Sequence, residues 1–134
     1  MRTIKYIVLH CTATPHNTTI DSIKRYWKNN LGWKSFGYHY IIEPSGNVVQ
    51  LTPDDKIANG VKGYNRESIH ISYIGGRKID DRTDAQKKSQ IELIKQLREK
   101  YPTAEILGHR DFPNVNKLCP NFDVKQWLKD ENVE

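Results

Sequence analysis

Apolar and β-branched side chains recur in five short stretches that predict strands. These stretches are residues 3–11, the arms 37–43 and 47–51, residues 68–74 and residues 104–107. The two arms flank the turn Pro44-Ser45-Gly46, which predicts a hairpin. The segment 52–67 is rich in Pro, Gly, Asn and Asp and predicts an irregular connection.

Three further stretches predict helices. Thr18 or Thr19 can cap the first, and Thr83 and Asp123 precede the second and third. Gly32 and Pro102 are expected to end the first and second helices. The apolar positions at helical spacing are Ile20, Ile23, Trp27 and Leu31, then Ile91, Ile94, Leu97 and Tyr101, then Val124, Trp127 and Leu128.

Strands and helices mix along the chain, which predicts the α/β class with one central sheet flanked by helices. The 134 residues suit a single domain, 1–134, and 28% charged with 37% hydrophobic residues is typical of a soluble globular protein. No apolar run approaches the roughly eighteen residues of a membrane span, so membrane insertion is not expected. The N-terminus offers only the apolar run at 7–9, so we expect synthesis in the cytoplasm without a signal peptide.

The chain carries a net charge of +5 and a pI near 9.2, which favours an anionic partner. Its basic residues are scattered, and the densest short cluster, Lys87-Lys88, lies on a predicted helix surface. No basic stripe is interleaved with aromatic residues, so nucleic acid is not an expected partner. The charge serves general solubility or attraction to an anionic cell envelope.

Three potential metal ligands follow or end predicted strands. His10 lies at the end of the first strand, His109 directly follows the strand at 104–107, and Cys119 comes ten residues later. Ligands usually bind beyond the carboxyl ends of strands in α/β sheets. If the two strands are neighbours, two imidazoles and a thiolate converge. This donor set is typical of zinc, and three protein ligands leave the fourth tetrahedral position open.

Two other side chains would complete a hydrolytic site. Lys117 could place an ammonium where an oxyanion develops, and Tyr38, expected to open the second strand, could direct its hydroxyl to the same place. Zinc lowers the pKa of a coordinated water molecule to about 7. Together these groups predict metal-assisted hydrolysis of a carbonyl compound.

The remaining histidines and Cys11 are assigned structural roles. We expect His16 to be solvated in a turn, His39 to face away from Tyr38, and His70 to lack a partner nearby in sequence. Cys11 should lie on the opposite strand face from His10 as a small buried group. Cytoplasmic synthesis argues against a disulfide with Cys119, so we expect two reduced thiols. Spacing alone leaves the zinc site and purely structural roles both open.

Four stretches in order along the chain carry a family resemblance: IVLHCTAT (7–14), GWKSFGYHYIIEPSG (32–46), KGYNRESIHISYIGG (62–76) and GHRD with KLCPNFDVKQWL (108–128). The chain resembles the zinc-dependent N-acetylmuramoyl-L-alanine amidases, which include phage endolysins and share their fold with peptidoglycan recognition proteins. The chain departs from many relatives at Asn59-Gly60, where they carry His or Trp.

The resemblance implies a mixed sheet with helices and a Zn²⁺ cofactor on His10, His109 and Cys119. It also implies that Tyr38 and Lys117 are catalytic. The implied substrate is peptidoglycan, cleaved at the amide between the lactyl group of N-acetylmuramic acid and L-alanine.

Two other functions stay open at this stage. One is a module that binds peptidoglycan without cutting it, although the presence of Cys119, Tyr38 and Lys117 favours the enzyme. The other is a regulatory binder of an intracellular host protein. We expect a monomer that acts on the cell wall after release or delivery.

Overall fold

Five strands form one mixed sheet with the order β3-β2-β4-β1-β5 in the computed structural model, which describes residues 2–113 and 115–133. Neighbouring strands are parallel except β3, which runs antiparallel to β2. The central mixed sheet confirms the predicted α/β class. The strands are β1 (Tyr6–Cys11), β2 (Tyr40–Ile42), β3 (Val48–Gln50), β4 (Ser68–Tyr73) and β5 (Glu105–Gly108).

Strand β1 lies between β4 and β5, so the two strands that carry or precede the candidate histidine ligands, β1 and β5, are direct neighbours, which the predicted convergence requires. Ile7 pairs with Ile69 on one side and with Ile106 on the other. Every residue of β4 is buried, which is typical of a parallel strand covered on both faces. The carboxyl ends of β1 and β5 therefore open onto the same edge of the sheet.

Two helices cover one face of the sheet. Helix α2 (Asp84–Lys100) begins at a capping box in which Thr83 Oγ1 accepts from the N–H of Gln86 and the Gln86 side chain accepts from the N–H of Thr83. Helix α3 (Val124–Asp130) begins at Asp123, whose carboxylate accepts from the N–H of Gln126 at 3.1 Å. Both predicted caps are confirmed. The helical side chains that join the buried cluster on this face are Leu93, Ile94, Leu97, Val124 and Leu128.

The remaining helix, α1 (Ile20–Arg25), lies on the opposite face. Thr19 caps it by accepting from the N–H of Ser22 at 3.1 Å. The helix continues as one π-helical turn over Tyr26–Asn30, so the predicted helical stretch is α-helical only as far as Arg25. Burying Ile23 and Trp27 here against the sheet stabilises the fold by about 1.5–3 kcal/mol per side chain. Among the residues that the structure describes, no helix has the length and apolar character to cross a membrane.

Candidate metal centre and active site

His10, His109 and Cys119 meet at the open edge of β1 and β5. His10 is the penultimate residue of β1, and His109 begins a 3₁₀ turn directly after β5. The loop returns to this turn because the N–H of Arg110 donates to the carbonyl of Cys119 at 2.9 Å. Asp111 braces the same turn by accepting from the N–H of Gly108 at 2.8 Å.

The three side chains offer donor atoms that all lie within 4.8 Å of one another. The ring centroids of His10 and His109 are 4.8 Å apart. His10 is buried, whereas His109 and Cys119 are half-buried. Two imidazole nitrogens and a sulfur at this separation can converge on one tetrahedral ion with bonds of about 2.0–2.3 Å.

Burial and nearby charge keep both imidazoles neutral. Burial, with His70 and His109 close by, lowers the pKa of His10 well below its ordinary value. Burial and the Lys117 ammonium lower the pKa of His109 to about 4. Each ring therefore keeps a lone pair at neutral pH, which is the form that binds a metal.

Cys119 is held through both the backbone and the side chain of Cys11. The N–H of Cys11 donates to Cys119 Sγ at 3.1 Å. The hydrogen bond with the Cys11 thiol and burial raise the pKa of the Cys119 thiol. Cys11 itself is buried in the core with Leu9, on the strand face opposite His10, as predicted. Both thiols are free.

Tyr38 lies beside this group. Its hydroxyl donates to the carbonyl of Cys11 at 3.2 Å, and its ring lies 5.1 Å from that of His10 and 5.4 Å from that of Trp27. Burial raises the pKa of Tyr38, so the hydroxyl stays protonated. The prediction that Tyr38 opens the second strand is wrong, because β2 begins at Tyr40.

Lys117 is exposed on the rim of the same cleft. Its charge acts on the site, since it lowers the pKa of both His10 and His109. Among the residues that the structure describes, no carboxylate lies within ion-pair distance of its ammonium. The side chain is therefore available to an incoming anion or carbonyl oxygen.

The cleft above these residues has a volume of about 820 Å³. One wall is aromatic, with Trp27, Trp33 and Tyr38, and another presents hydroxyl groups of Thr12 and Thr14. A cleft of this size and mixed lining suits an extended ligand with both apolar and hydrogen-bonding groups.

The other three histidines lie outside the donor set. His16 is half-buried rather than fully solvated, and its Nε2 is 3.3 Å from an Asp81 carboxylate oxygen. His39 is buried, and its Nδ1 accepts from the N–H of His70 at 3.0 Å. The expectation that His70 lacks a partner nearby in sequence is wrong, because its Nε2 lies 2.9 Å from Asn65 Oδ1. Its Nδ1 also lies 2.9 Å from Nε2 of His10, a distant residue in the sequence.

Local sequence patterns do not indicate the contact between His70 and His10, because it joins residues sixty positions apart. The sequence of β4 nevertheless carries a weak indication that His70 faces polar neighbours. Ser68, His70 and Ser72 alternate with Ile69, Ile71 and Tyr73, which sets a polar stripe on one face of β4.

Comparison with known proteins gives consistent matches over nearly the whole chain. Residues 1–122 match the family model described as N-acetylmuramoyl-L-alanine amidase. The chain is 35% identical over 134 residues to an endolysin of Enterobacteria phage T3, covering 93% of this chain and 85% of the relative. It is also 35% identical over 130 residues to an endolysin of Escherichia phage T7, covering 90% and 83%.

Solved structures of amidases, endolysins and a peptidoglycan recognition protein have the same fold as this chain. The Ph2119 endolysin from a Thermus scotoductus bacteriophage superposes with a TM-score of 0.87 at 26% identity, covering 96% of this chain and 85% of that one. The N-acetylmuramoyl-L-alanine amidase LysC from Clostridium intestinale superposes with a TM-score of 0.83 at 26% identity, covering 99% and 88%. Bumblebee PGRP-SA, at 21% identity and a TM-score of 0.82, shares the fold.

Proposed function

The chain belongs to the N-acetylmuramoyl-L-alanine amidase family, and from this membership we propose how its own residues carry out the reaction. The protein is an amidase that hydrolyses the bond between N-acetylmuramic acid and L-alanine in peptidoglycan. We propose that the reaction depends on Zn²⁺ held by His10, His109 and Cys119. The observation that carries this proposal is the convergence of their donor atoms, all within 4.8 Å, at the floor of the cleft.

The donor set fits zinc by its chemistry. Two neutral imidazoles and one thiol match the nitrogen and sulfur ligands that zinc prefers, and three protein ligands leave a position open, as in catalytic sites. When bound, the ion would act as a Lewis acid that polarises the amide carbonyl and activates water for attack. A structural zinc site would normally call for a fourth protein ligand.

Lys117 is proposed to stabilise the negative charge that develops on the carbonyl oxygen of the amide. Its ammonium lies on the cleft rim and is close enough to depress the pKa of His109. A cation that is fixed beside the developing oxyanion acts mainly in the transition state, so it raises turnover more than it strengthens substrate binding.

Tyr38 is proposed to orient the carbonyl group of the substrate. Its hydroxyl remains protonated because burial raises the pKa, and it already donates to the carbonyl of Cys11 at 3.2 Å. The ring is packed against Trp27 and His10, so the hydroxyl has a defined position. Because the hydroxyl has a single O–H to donate, it would turn from the Cys11 carbonyl to the incoming carbonyl, while the packed ring keeps the oxygen in place.

The whole chain is proposed to act as one catalytic domain on the cell wall. The relatives named endolysins support action after release or delivery from the cell that makes it.

The test is mass analysis of purified peptidoglycan after digestion, with and without a chelator. We expect stem peptides with free L-alanine amino termini, while the disaccharide units of the glycan stay intact. Chelated protein should release none, and added Zn²⁺ should restore release. Digestion that produces only glycan fragments would contradict amidase activity. Undiminished release by metal-free protein would contradict the zinc proposal and leave the amidase activity standing.

A further inference from the structure

A chain of hydrogen bonds runs from the loop before β4 through His70 to His10. It starts at Asn65, whose Oδ1 accepts from the N–H of Gly60 at 3.0 Å and from the N–H of Val61 at 2.8 Å. Because both partners are donors, the atom facing them is the amide oxygen rather than the amide nitrogen. The backbone of the loop therefore fixes the orientation of the Asn65 side chain.

His70 passes this orientation on to His10. His70 Nε2 lies 2.9 Å from Asn65 Oδ1, so this nitrogen carries the proton and donates. The other nitrogen of a neutral imidazole is an acceptor, and His70 Nδ1 lies 2.9 Å from His10 Nε2. His10 Nε2 is therefore the donor, and His10 Nδ1 keeps its lone pair. The opposite tautomer of His10 would set two lone pairs against each other.

We infer that His70 is a positioning residue that holds His10 in the tautomer and ring orientation in which Nδ1 binds the metal. This inference rests on the proposed function, because it takes His10 as a zinc ligand. Metal-binding histidines donate their second N–H to a fixed acceptor, which sets the tautomer and strengthens the ligand. In this protein the acceptor is a second imidazole.

The His70 ring is itself held in place. The residue is fully buried, and its N–H donates to His39 Nδ1 at 3.0 Å. The rings of His39 and His70 stack with centroids 5.9 Å apart. A Cβ atom at Gly60 would lie 2.4 Å from His70 Nδ1, so the ring fits only because residue 60 has no side chain. The loop and strand together present one rigid acceptor to His10.

The test compares zinc affinity in the wild type, His70→Leu and His70→Asn by competition with a chromophoric chelator. Leu fills similar space but accepts no hydrogen bond, so we expect zinc affinity to fall about 10- to 100-fold. Asn can place its Oδ1 near the position of the imidazole Nδ1, so this variant should recover most of the affinity. A wild-type affinity in His70→Leu would overturn the inference.

Melting temperatures with and without zinc separate positioning from a general structural role. Positioning predicts that His70→Leu loses part of the zinc-induced rise in melting temperature, since a ligand that binds the folded protein less tightly stabilises it less. An equal drop with and without zinc would show a structural role only and overturn the inference.

Long-range proton–nitrogen NMR spectra of the zinc-free wild type provide a readout without mutation. The expected proton positions are Nε2 on both His10 and His70, and a proton on His10 Nδ1 would overturn the inference. The proposed function fails separately, if the wild type itself binds no zinc or releases no stem peptide.

Discussion

At the residue scale, Cys11 fixes the position of the Cys119 sulfur. The N–H of Cys11 donates to Cys119 Sγ at 3.1 Å, while the hydrogen bond with the Cys11 thiol and burial raise the pKa of the Cys119 thiol. Zinc binds the thiolate, so binding must displace a proton from this sulfur. The two cysteines thus have different roles, and a pair of matched variants can distinguish them.

Cys119→Ala should strongly reduce zinc content because it removes one of three ligands. Cys11→Ala is the matched control: it removes a buried thiol but leaves the N–H that donates to Cys119. Elemental analysis of the purified proteins should find about one zinc per chain in the control and little in Cys119→Ala. Equal zinc content in both variants would remove Cys119 from the metal site.

Lys117→Ala should lower turnover on soluble muropeptide by about a hundred- to a thousandfold, the usual effect of removing one oxyanion donor. Zinc content and melting temperature should stay at wild-type values, because Lys117 is exposed and is not a ligand. Lys62→Ala, at another exposed lysine that does not line the cleft, is the control and should keep its activity. Wild-type turnover in Lys117→Ala would exclude the proposed role.

Tyr38→Phe keeps the ring that packs on Trp27 and His10 and removes only the hydroxyl. Loss of the hydrogen bond to the carbonyl of Cys11 should lower the free energy of unfolding by about 0.5–1.5 kcal/mol. Turnover should fall far more than this small change in stability explains. Denaturant unfolding and muropeptide turnover, measured side by side, test this; a variant with full turnover would leave Tyr38 a packing role only.

At the element scale, local patterns predicted most of the fold. The caps at Thr19, Thr83 and Asp123 are local contacts between residues three positions apart, so sequence could indicate them. The start of β2 depends on distant contacts. One of these is the hydrogen bond that the N–H of His39, just before the strand, donates to the carbonyl of His70 at 2.9 Å.

The candidate site also contains features that the sequence could indicate and others that depend on distant contacts. The convergence of His10 and His109 could be predicted because residues at parallel strand ends share one edge of the sheet. His70 could not, because its contact with His10 depends on the register that pairs His70 with Val8. The register between strands that are distant in sequence is set by packing of the whole sheet, so it cannot be predicted from one sequence.

The loop that carries Gly60 should therefore control the metal site through His70. Gly60→Ala would place a Cβ 2.4 Å from His70 Nδ1, so the ring must shift and the hydrogen bond to His10 should weaken. We expect lower zinc affinity in chelator competition.

Gly63→Ala in the same loop is the control for Gly60→Ala. Gly63 has φ +90° and open space around it, so Ala there should cost more than about 1 kcal/mol of folding free energy through backbone strain, with zinc affinity unchanged. Equal zinc affinities in the two variants would contradict the role of Gly60.

At the scale of the whole molecule, the main apolar core and the candidate active site lie in different parts of the fold. Helices α2 and α3 close one face of the sheet with a continuous apolar cluster, while the cleft opens at the carboxyl ends of β1 and β5. A basic and aromatic surface adjoins this cleft and shares Trp27 and Trp33 with it. The basic residues of this surface are Lys24, Arg25, Lys28 and Lys34.

The net charge of +5 should draw the enzyme to anionic cell-wall material, and the basic surface beside the cleft should contribute most. Salt screens exposed charges over about 10 Å at 0.1 M ionic strength. Turnover on intact sacculi should therefore fall as salt rises, while turnover on soluble muropeptide changes little. The double variant Arg25→Gln with Lys28→Gln should lower sacculus turnover at low salt and flatten its salt dependence.

The control for this surface is Lys88→Gln with Lys95→Gln, which removes the same charge from exposed positions of α2 that do not line the cleft. Because attraction between exposed charges is local once salt is present, this control should retain more of the salt dependence than the Arg25 and Lys28 double variant. Equal effects of the two double variants would show that net charge alone draws the enzyme to the wall. Salt-independent turnover on sacculi in the wild type would show that electrostatic attraction contributes nothing, and that the cleft alone supplies the binding.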